Sequence, residues 1–514
     1  MTEALETSPA GFRRIDGATV VLSLLAAAIV IRVWLMALPS SFWLDECATV
    51  FVARHGSNHP SLLDAAPQAW RSWYYPLIGL WGGIFGFSEI SLRLPSVLAM
   101  LGVLALLARL SARLIHPRSG WFAVFACFAL RGFNYQAANA RPYALGMCLF
   151  AAGLLFLVRW LNSSRWTDAV LFLACAASVV YVHLLFWPAS LVFALYAVTR
   201  VASREARIGW PRLALVFLLW GLALTPVLLQ TLSLLREAQA HVIAAPPSAV
   251  QVLRSLKIPL LLVCGLGAWM IARVRHWRLP GLKLTLPALV LAAGWWLCQP
   301  LLLAGFSWLT HDSVFVPRYL ELALPGMALA ATACASVVIP ADQWRRLSIL
   351  LAIGVLIYLR PWRELWPMHH GSDWRGAAAA VRRVEQTAAP PVICPSPFIE
   401  ARPPAWRPDY PLPGFLYAHL DVYPIASRAY LFPFADSPQA QSYASQITAD
   451  LIRSRRFLIY GWEPQVHFWR NWFARNPAFQ GWQMSRIGPP GNAAFGDVDV
   501  VQFSLPSRDA PGIK

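Results

Sequence analysis

Charge is scarce in this 514-residue chain: only 13% of its residues are Asp, Glu, Lys or Arg, against roughly a quarter in soluble globular proteins. With 58% of its residues hydrophobic, it has too little polar surface for a soluble enzyme and reads as a polytopic membrane protein. The eight cysteines form no Cys-x-x-Cys pair and no cluster with histidine, so neither a zinc site nor a redox motif is indicated. Six of them lie inside apolar runs, and Cys47 and Cys394 can share one side of a membrane without any need to pair. No internal repeat is visible, which sets aside solenoids and propellers.

What is present is a succession of apolar runs. They fall near residues 17–38, 93–112, 120–133, 143–158, 168–182, 184–199, 213–233, 257–272, 284–306, 319–339 and 347–360, and predict eleven transmembrane helices. The first run is long enough to span and follows Arg13 and Arg14, so an uncleaved first helix with its N-terminus inside is expected. Loop charge tests the count independently. Arg109, Arg113 and Arg118, then Arg159 and Arg165, then Arg200, Arg204, Arg207 and Arg212, then Arg273, Arg275, Arg278 and Lys283, then Arg345 and Arg346 make every second loop basic. The net charge of +18 is therefore read as topology control, with membrane lipids and no nucleic acid as its partners. Arg165 and Arg200 both belong inside, so the stretch between them requires an even number of crossings, with a turn near His183 and Pro188. The Pro- and Gly-broken segment from Trp73 to Phe87 reads as re-entrant or interfacial.

After Pro361 the composition changes. Residues 362–514 hold 15 basic and 12 acidic residues, so most of the positive charge lies before them. Helix-like patterns at Asp373–Glu385 and Gln465–Arg475 alternate with strand-like ones at Pro391–Cys394, Arg456–Tyr460 and Asp497–Phe503. The expected organisation is a transmembrane domain over 1–361 and an extracytoplasmic α/β domain over 362–514.

Polar residues suited to chemistry gather at the outer ends of the spans. Asp45 and Glu46 emerge just after the first span, where adjacent side chains on a helix diverge by about 100°. Either Asp45 is an N-cap of a short surface helix, or one carboxylate faces a substrate while the other caps, pairs or holds a metal. Arg141, before Pro142 and Tyr143, sits at an outer helix start, a place for the phosphate of a substrate or of an ordinary lipid. Arg318 repeats the pattern between Pro317 and Tyr319. His311 and Asp312 are either a metal-ligand pair or simply solvated, and Lys257 and Arg254 are weaker cationic candidates.

Several of these segments together resemble the bacterial glycosyltransferase family 39 proteins of the C-type superfamily, which includes protein O-mannosyltransferases and lipid A aminoarabinose transferases. The segments are Asp45-Glu46, Tyr74-Tyr75 leading to Leu80-Trp81 and Phe85-Gly86, Ser88 to Ser96, Ala140-Arg141-Pro142-Tyr143-Ala144-Leu145, and Pro317-Arg318-Tyr319. Asp373-Trp374-Arg375-Gly376-Ala377-Ala378 is similar to the start of the outer domain of such proteins. The resemblance covers about residues 15 to 340.

The resemblance implies a C-type glycosyltransferase fold and a sugar donor carried on polyprenyl phosphate. A hexosyl or pentosyl group would pass to a lipid, glycan or protein acceptor on the outer face of the inner membrane. Asp45 is then the base and Glu46 its support. Arg141, Arg318 and Lys257 hold the donor phosphate, and Tyr74, Tyr75, Tyr143 and His311 line the substrate site. A divalent metal is a possible cofactor with no ligand set indicated. The chain has no soluble nucleotide-sugar signature, in keeping with a lipid-borne donor.

Two positions depart from the pattern: Trp70-Arg71-Ser72 stands where relatives usually have His-Pro-Pro, and Asn139 where they usually have Glu. The readings from other classes are a lipid or sugar transporter and a non-catalytic subunit of an envelope assembly. A transporter should place its ionisable residues and broken helices near mid-bilayer, whereas here the polar residues lie at the outer ends.

Overall fold

The computed structural model describes residues 16–65, 72–241, 245–281, 283–364, 366–489 and 495–506, without the side chains of 231–241. A helix stands at each of the eleven apolar runs. Among the described residues seven are long and apolar enough to cross a membrane: Gly17–Ala37, Glu89–Leu114, Tyr143–Ser163, Leu184–Ala202, Trp210–Gln230, Leu286–Thr310 and Pro317–Ser336. The pair Ala249–Ser255 and Ile258–Val274, bent by 49°, makes an eighth if taken as one span.

Length alone thus falls short of the expected eleven. Trp166–Val182 and Trp344–Leu359 are shorter, and the run at 120–133 is broken. Its first helix, Gly120–Phe128, ends where Leu130 turns extended and the Asn134 amide donates to Phe128 O at 2.7 Å. The expected turn near His183 is present, with His183 itself extended between two helices. Tyr74–Phe85, at 12 residues, is too short to span, and Leu77, Leu80, Ile84 and Phe85 on it are exposed.

The basic loops share one end of the bundle. Arg345 pairs with Asp16, the Arg118 guanidinium reaches Ala341 O at 3.5 Å, and Arg207 N donates to Leu161 O at 2.8 Å. Within the bundle, close approach is set by Gly326, where a Cβ would lie 2.6 Å from the backbone carbon of Trp295. Gln299, beside Pro300, serves as a polar junction between helices. It donates to Leu185 O at 2.7 Å and Tyr319 O at 2.9 Å and accepts from Ala189 N at 3.1 Å, satisfying two irregular turns that lipid could not.

At the opposite end lies a five-stranded mixed sheet in the order β2-β1-β3-β5-β4. Its strands are β1 Val392–Pro395, β2 Ala429–Phe432, β3 Arg456–Trp462, β4 Gln483–Arg486 and β5 Val498–Ser504. β1 runs parallel to β2 and β3, and β5 runs antiparallel to β3 and β4.

Side chains alternate along β3. Phe457 and Ile459 pack under helices Pro438–Ser454 and Glu463–Arg475, while Leu458 and Tyr460 join Trp374 and Ala377 on the other face. That second face is continuous with Phe42, Cys47, Val50 and Phe51, so the sheet unit rests directly on the segment that carries Asp45.

Candidate active site

The first span ends in a loop held by one buried cation. Arg93 donates through Nε and Nη2 to Glu46 at 2.9 and 2.5 Å, through Nη1 to Leu38 O and Ser40 O at 2.8 and 2.7 Å, and through Nη2 to Ser41 O at 2.9 Å. Both partners of the ion pair are fully buried. Burial alone would push the Glu46 carboxyl up, but the charge and hydrogen bonds of Arg93 hold it below the usual carboxylate range.

Glu46 also accepts from Trp43 N at 3.3 Å and Ala140 N at 2.7 Å. It therefore closes the start of the helix Leu44–His55 and fastens the second outer loop to the first. Trp43, in extended conformation, is the cap of that helix, so Asp45 lies in its first turn and is not the N-cap. Of the two adjacent carboxylates, Glu46 is thus the one that caps and pairs, within a buried network.

Asp45 points toward two arginines. Arg318 Nη1 donates to Asp45 Oδ2 at 2.8 Å, and Arg141 Nη2 lies 3.7 Å from the same oxygen. Arg141 Nη1 is directed at Asp45 O, Thr49 Oγ1 and Tyr75 OH at 3.1, 3.3 and 3.4 Å. The side chain of Asp45 is 20% exposed and that of Arg318 38%, against 9% for Arg141, so the cluster opens on the Arg318 side.

Around it stand Tyr75, with Tyr74 buried beside it at 5.6 Å between rings, and Tyr143, whose ring lies 6.0 Å from the Arg141 guanidinium. Burial pushes the Tyr75 phenol up to about 12, partly offset by Arg141. Ser72 Oγ donates to Val182 O and Trp73 stacks on Tyr181 at 4.2 Å, which anchors the start of the tyrosine helix. Trp70 and Arg71 lie outside the described residues.

The other expected residues are placed less closely. Lys257 is exposed at the bend before Ile258–Val274, within electrostatic reach of Glu321 and with no bond to Asp45. His311 is exposed at the end of Leu286–Thr310, and among the described residues no hydrogen bond or ion pair joins it to the cluster. No three His, Cys, Asp or Glu side chains converge as a metal site among the described residues.

Several residues stand here that the sequence did not mark as site residues. Asn139 sits in an amide chain: it accepts from Trp43 Nε1 at 3.1 Å and donates to Gln136 at 2.8 Å, and Gln136 in turn donates to Glu321. His183 packs between Tyr143 and Tyr319 at 5.4 and 5.3 Å. His370 stacks on Trp43 at 4.9 Å, and His369 on Tyr135 at 4.3 Å. These two histidines follow an apolar run in a polar stretch, so the only available signal was their pairing.

No protein-family model and no curated protein matches the chain. Among solved structures, ArnT from Cupriavidus metallidurans bound to undecaprenyl phosphate is similar with a TM-score of 0.53 at 12% identity, over 95% of this chain and 98% of that one. The apo state of the same protein gives a TM-score of 0.53 at 13% identity over the same shares. The likeness spans both the helical bundle and the sheet unit, so the chain shares the fold of ArnT, in line with the fold that its motif resemblance implies.

Proposed function

We propose that the chain transfers a sugar from a polyprenyl-phosphate donor to a hydroxyl-bearing lipid, glycan or protein acceptor on the extracytoplasmic face of the inner membrane. Arg141 and Arg318 bind the donor phosphate and Asp45 is the general base. The observation that supports this most is the shared contact of Asp45 Oδ2 with both arginines. A phosphate arriving at the cluster competes for the same guanidinium donors, for which Arg offers fork geometry. Asp45 is thereby released from them just as the donor is seated.

In the transfer, the acceptor oxygen bonds to the anomeric carbon as the carbon–phosphate-oxygen bond breaks. The bonding pair leaves with polyprenyl phosphate, whose charge the arginines stabilise, so no protein acid need protonate the leaving group. The acceptor proton passes to Asp45. A single displacement of this kind inverts the anomeric configuration.

In this reading Glu46 is a positioning residue acting through Arg93 and the Ala140 backbone, Lys257 adds positive charge beside the cleft, and Tyr74, Tyr75 and Tyr143 form its walls. His311 lies too far toward solvent to be assigned a contact. The prenyl chain lies along apolar helix faces below the cluster. We further propose 1–361 as the transmembrane domain and 362–514 as the outer one. Undecaprenyl phosphate bound to ArnT supports the donor class.

The reading is tested by incubating full-length protein in proteoliposomes with polyprenyl-phosphate donors carrying radiolabelled sugars and following label into total envelope acceptors. Release of polyprenyl phosphate matched by labelled product is the expected result. Movement of intact donor across the bilayer without cleavage would make the protein a transporter.

A further inference from the structure

A second basic site lies outside the Asp45 cluster. A cavity of about 650 Å³ is lined by Arg32, Arg131, Arg360 and Arg363, with Glu364 as the one acidic residue of its lining. Its size is within the range of small-ligand sites, roughly 300–1,000 Å³. Arg32 is committed to the wall: it donates to Pro361 O at 2.5 Å and to Glu364 O at 2.7 Å, fixing the chain as it leaves the last span.

Arg131 lies over the Tyr358 ring at 5.0 Å and is exposed. Among the described residues none of Arg131, Arg360 and Arg363 has an ion-pair partner. All three are solvent-exposed and share one lining with a single carboxylate, so the cavity carries net positive charge, and they stand at the outer end of the bundle, where positive charge is otherwise disfavoured. A bound anion matches that charge.

The approach to the cavity identifies the kind of anion. Gly17–Ala37 packs against Trp344–Leu359 directly below it. Both helices turn apolar residues outward here, Leu24, Ile31 and Leu35 on one and Leu350, Ile353 and Ile357 on the other. Trp362 and Trp366, each about two-thirds exposed, stand beside the mouth at the level where aromatic rings meet headgroups. Acyl chains can lie on the apolar strip while a phosphate enters between the arginines. Tyr135 and His369, stacked at 4.3 Å, form one wall of the cavity, and neither Trp43 nor Asp45 is in its lining.

We infer that the cavity is a second lipid-phosphate site, taking the headgroup of an anionic membrane lipid from the bilayer beside the first and last spans. It does not depend on the proposed transfer reaction. The test is native mass spectrometry of the full chain released from phosphatidylcholine nanodiscs containing a minority of phosphatidylglycerol.

Wild type is expected to retain phosphatidylglycerol in preference to phosphatidylcholine. The folded triple variant Arg131→Gln, Arg360→Gln, Arg363→Gln should lose that preference by about tenfold. The matching triple Lys variant, which keeps charge but not the fork, should retain a preference between the two, and it supplies the reading if the Gln variant fails to fold. Equal retention of both lipids by wild type, an undiminished preference in the folded Gln variant, or loss of all preference in the folded Lys variant would overturn the inference. So would displacement of the lipid by millimolar inorganic phosphate, which would make the cavity a site for soluble anions.

Discussion

Asp45 and Arg318 stand 273 positions apart in the chain and 2.8 Å apart in space. The contact joins the first outer loop to the start of a late span, and it gives the proposed donor site its open side. Arg318→Gln removes the exposed half of the pair and leaves Arg141 in place. The apparent KM for the polyprenyl-phosphate donor should rise roughly ten- to hundredfold, the scale of one charged hydrogen bond, with a smaller change in kcat. Initial-rate kinetics over a donor series in proteoliposomes measure the split, and an unchanged KM would remove Arg318 from phosphate binding.

The Glu46–Arg93 pair predicts a contrast in stability. Glu46→Gln strands a fully buried guanidinium, a change that costs about 3–5 kcal/mol, whereas Asp421→Asn disturbs the partly exposed contacts of Arg54 and His55 at 3.6 and 3.2 Å and should cost about 1 kcal/mol or less. Comparing the two variants by equilibrium unfolding in one detergent checks this. Equal losses would contradict the role given to the buried pair.

Much of the fold is legible in the sequence, because it rests on strong periodic signals. Each apolar run holds a helix, the one at 120–133 broken in two, and the strands at Pro391–Cys394, Arg456–Tyr460 and Asp497–Phe503 and both outer helices stand within a few residues of their expected bounds. β2 was hidden because four residues in a Pro-rich stretch give no periodicity, and β4 because an exposed edge strand need not alternate. The helix Pro438–Ser454 had a readable start in Ser437-Pro438, whose hydroxyl accepts from Ala440 N at 3.3 Å, but its polar composition concealed the rest.

Within the site, the motif positions of Asp45, Arg141 and Arg318 marked residues that do converge. That one carboxylate of the pair would cap and pair was legible, but its partner was not, since Arg93 is buried in the next span. Asn139, noted only as a departure, belongs to a polar chain that runs through its neighbour Gln136 and reaches Trp43 and Glu321 on two other outer segments.

Burial holds the His369 imidazole down to about 3, so it is neutral in the folded protein at neutral pH. The unfolded chain binds a proton there between its ordinary value of 6.5 and about 3 while the folded chain does not, so stability falls as pH drops through that window. Glu46, held below its usual range, adds to the loss at the acid end. Melting temperatures should therefore decline from about pH 6.5 downward, and His369→Gln should lessen the upper part of that decline, which it shares with His419, held down to about 3 by burial as well. A His369→Gln profile as steep as wild type between pH 6 and 5 would show that protonation of this residue is not the cause.

The most direct test of the account is turnover by Asp45→Asn, which keeps the shape and the hydrogen-bonding reach of the side chain and removes its ability to take a proton. Rates of sugar transfer and binding of polyprenyl phosphate are measured on the same proteoliposome preparation. The account predicts a fall in kcat of about 10²- to 10⁴-fold with polyprenyl phosphate still bound at Arg141 and Arg318. Transfer by the folded variant at the wild-type rate would contradict it.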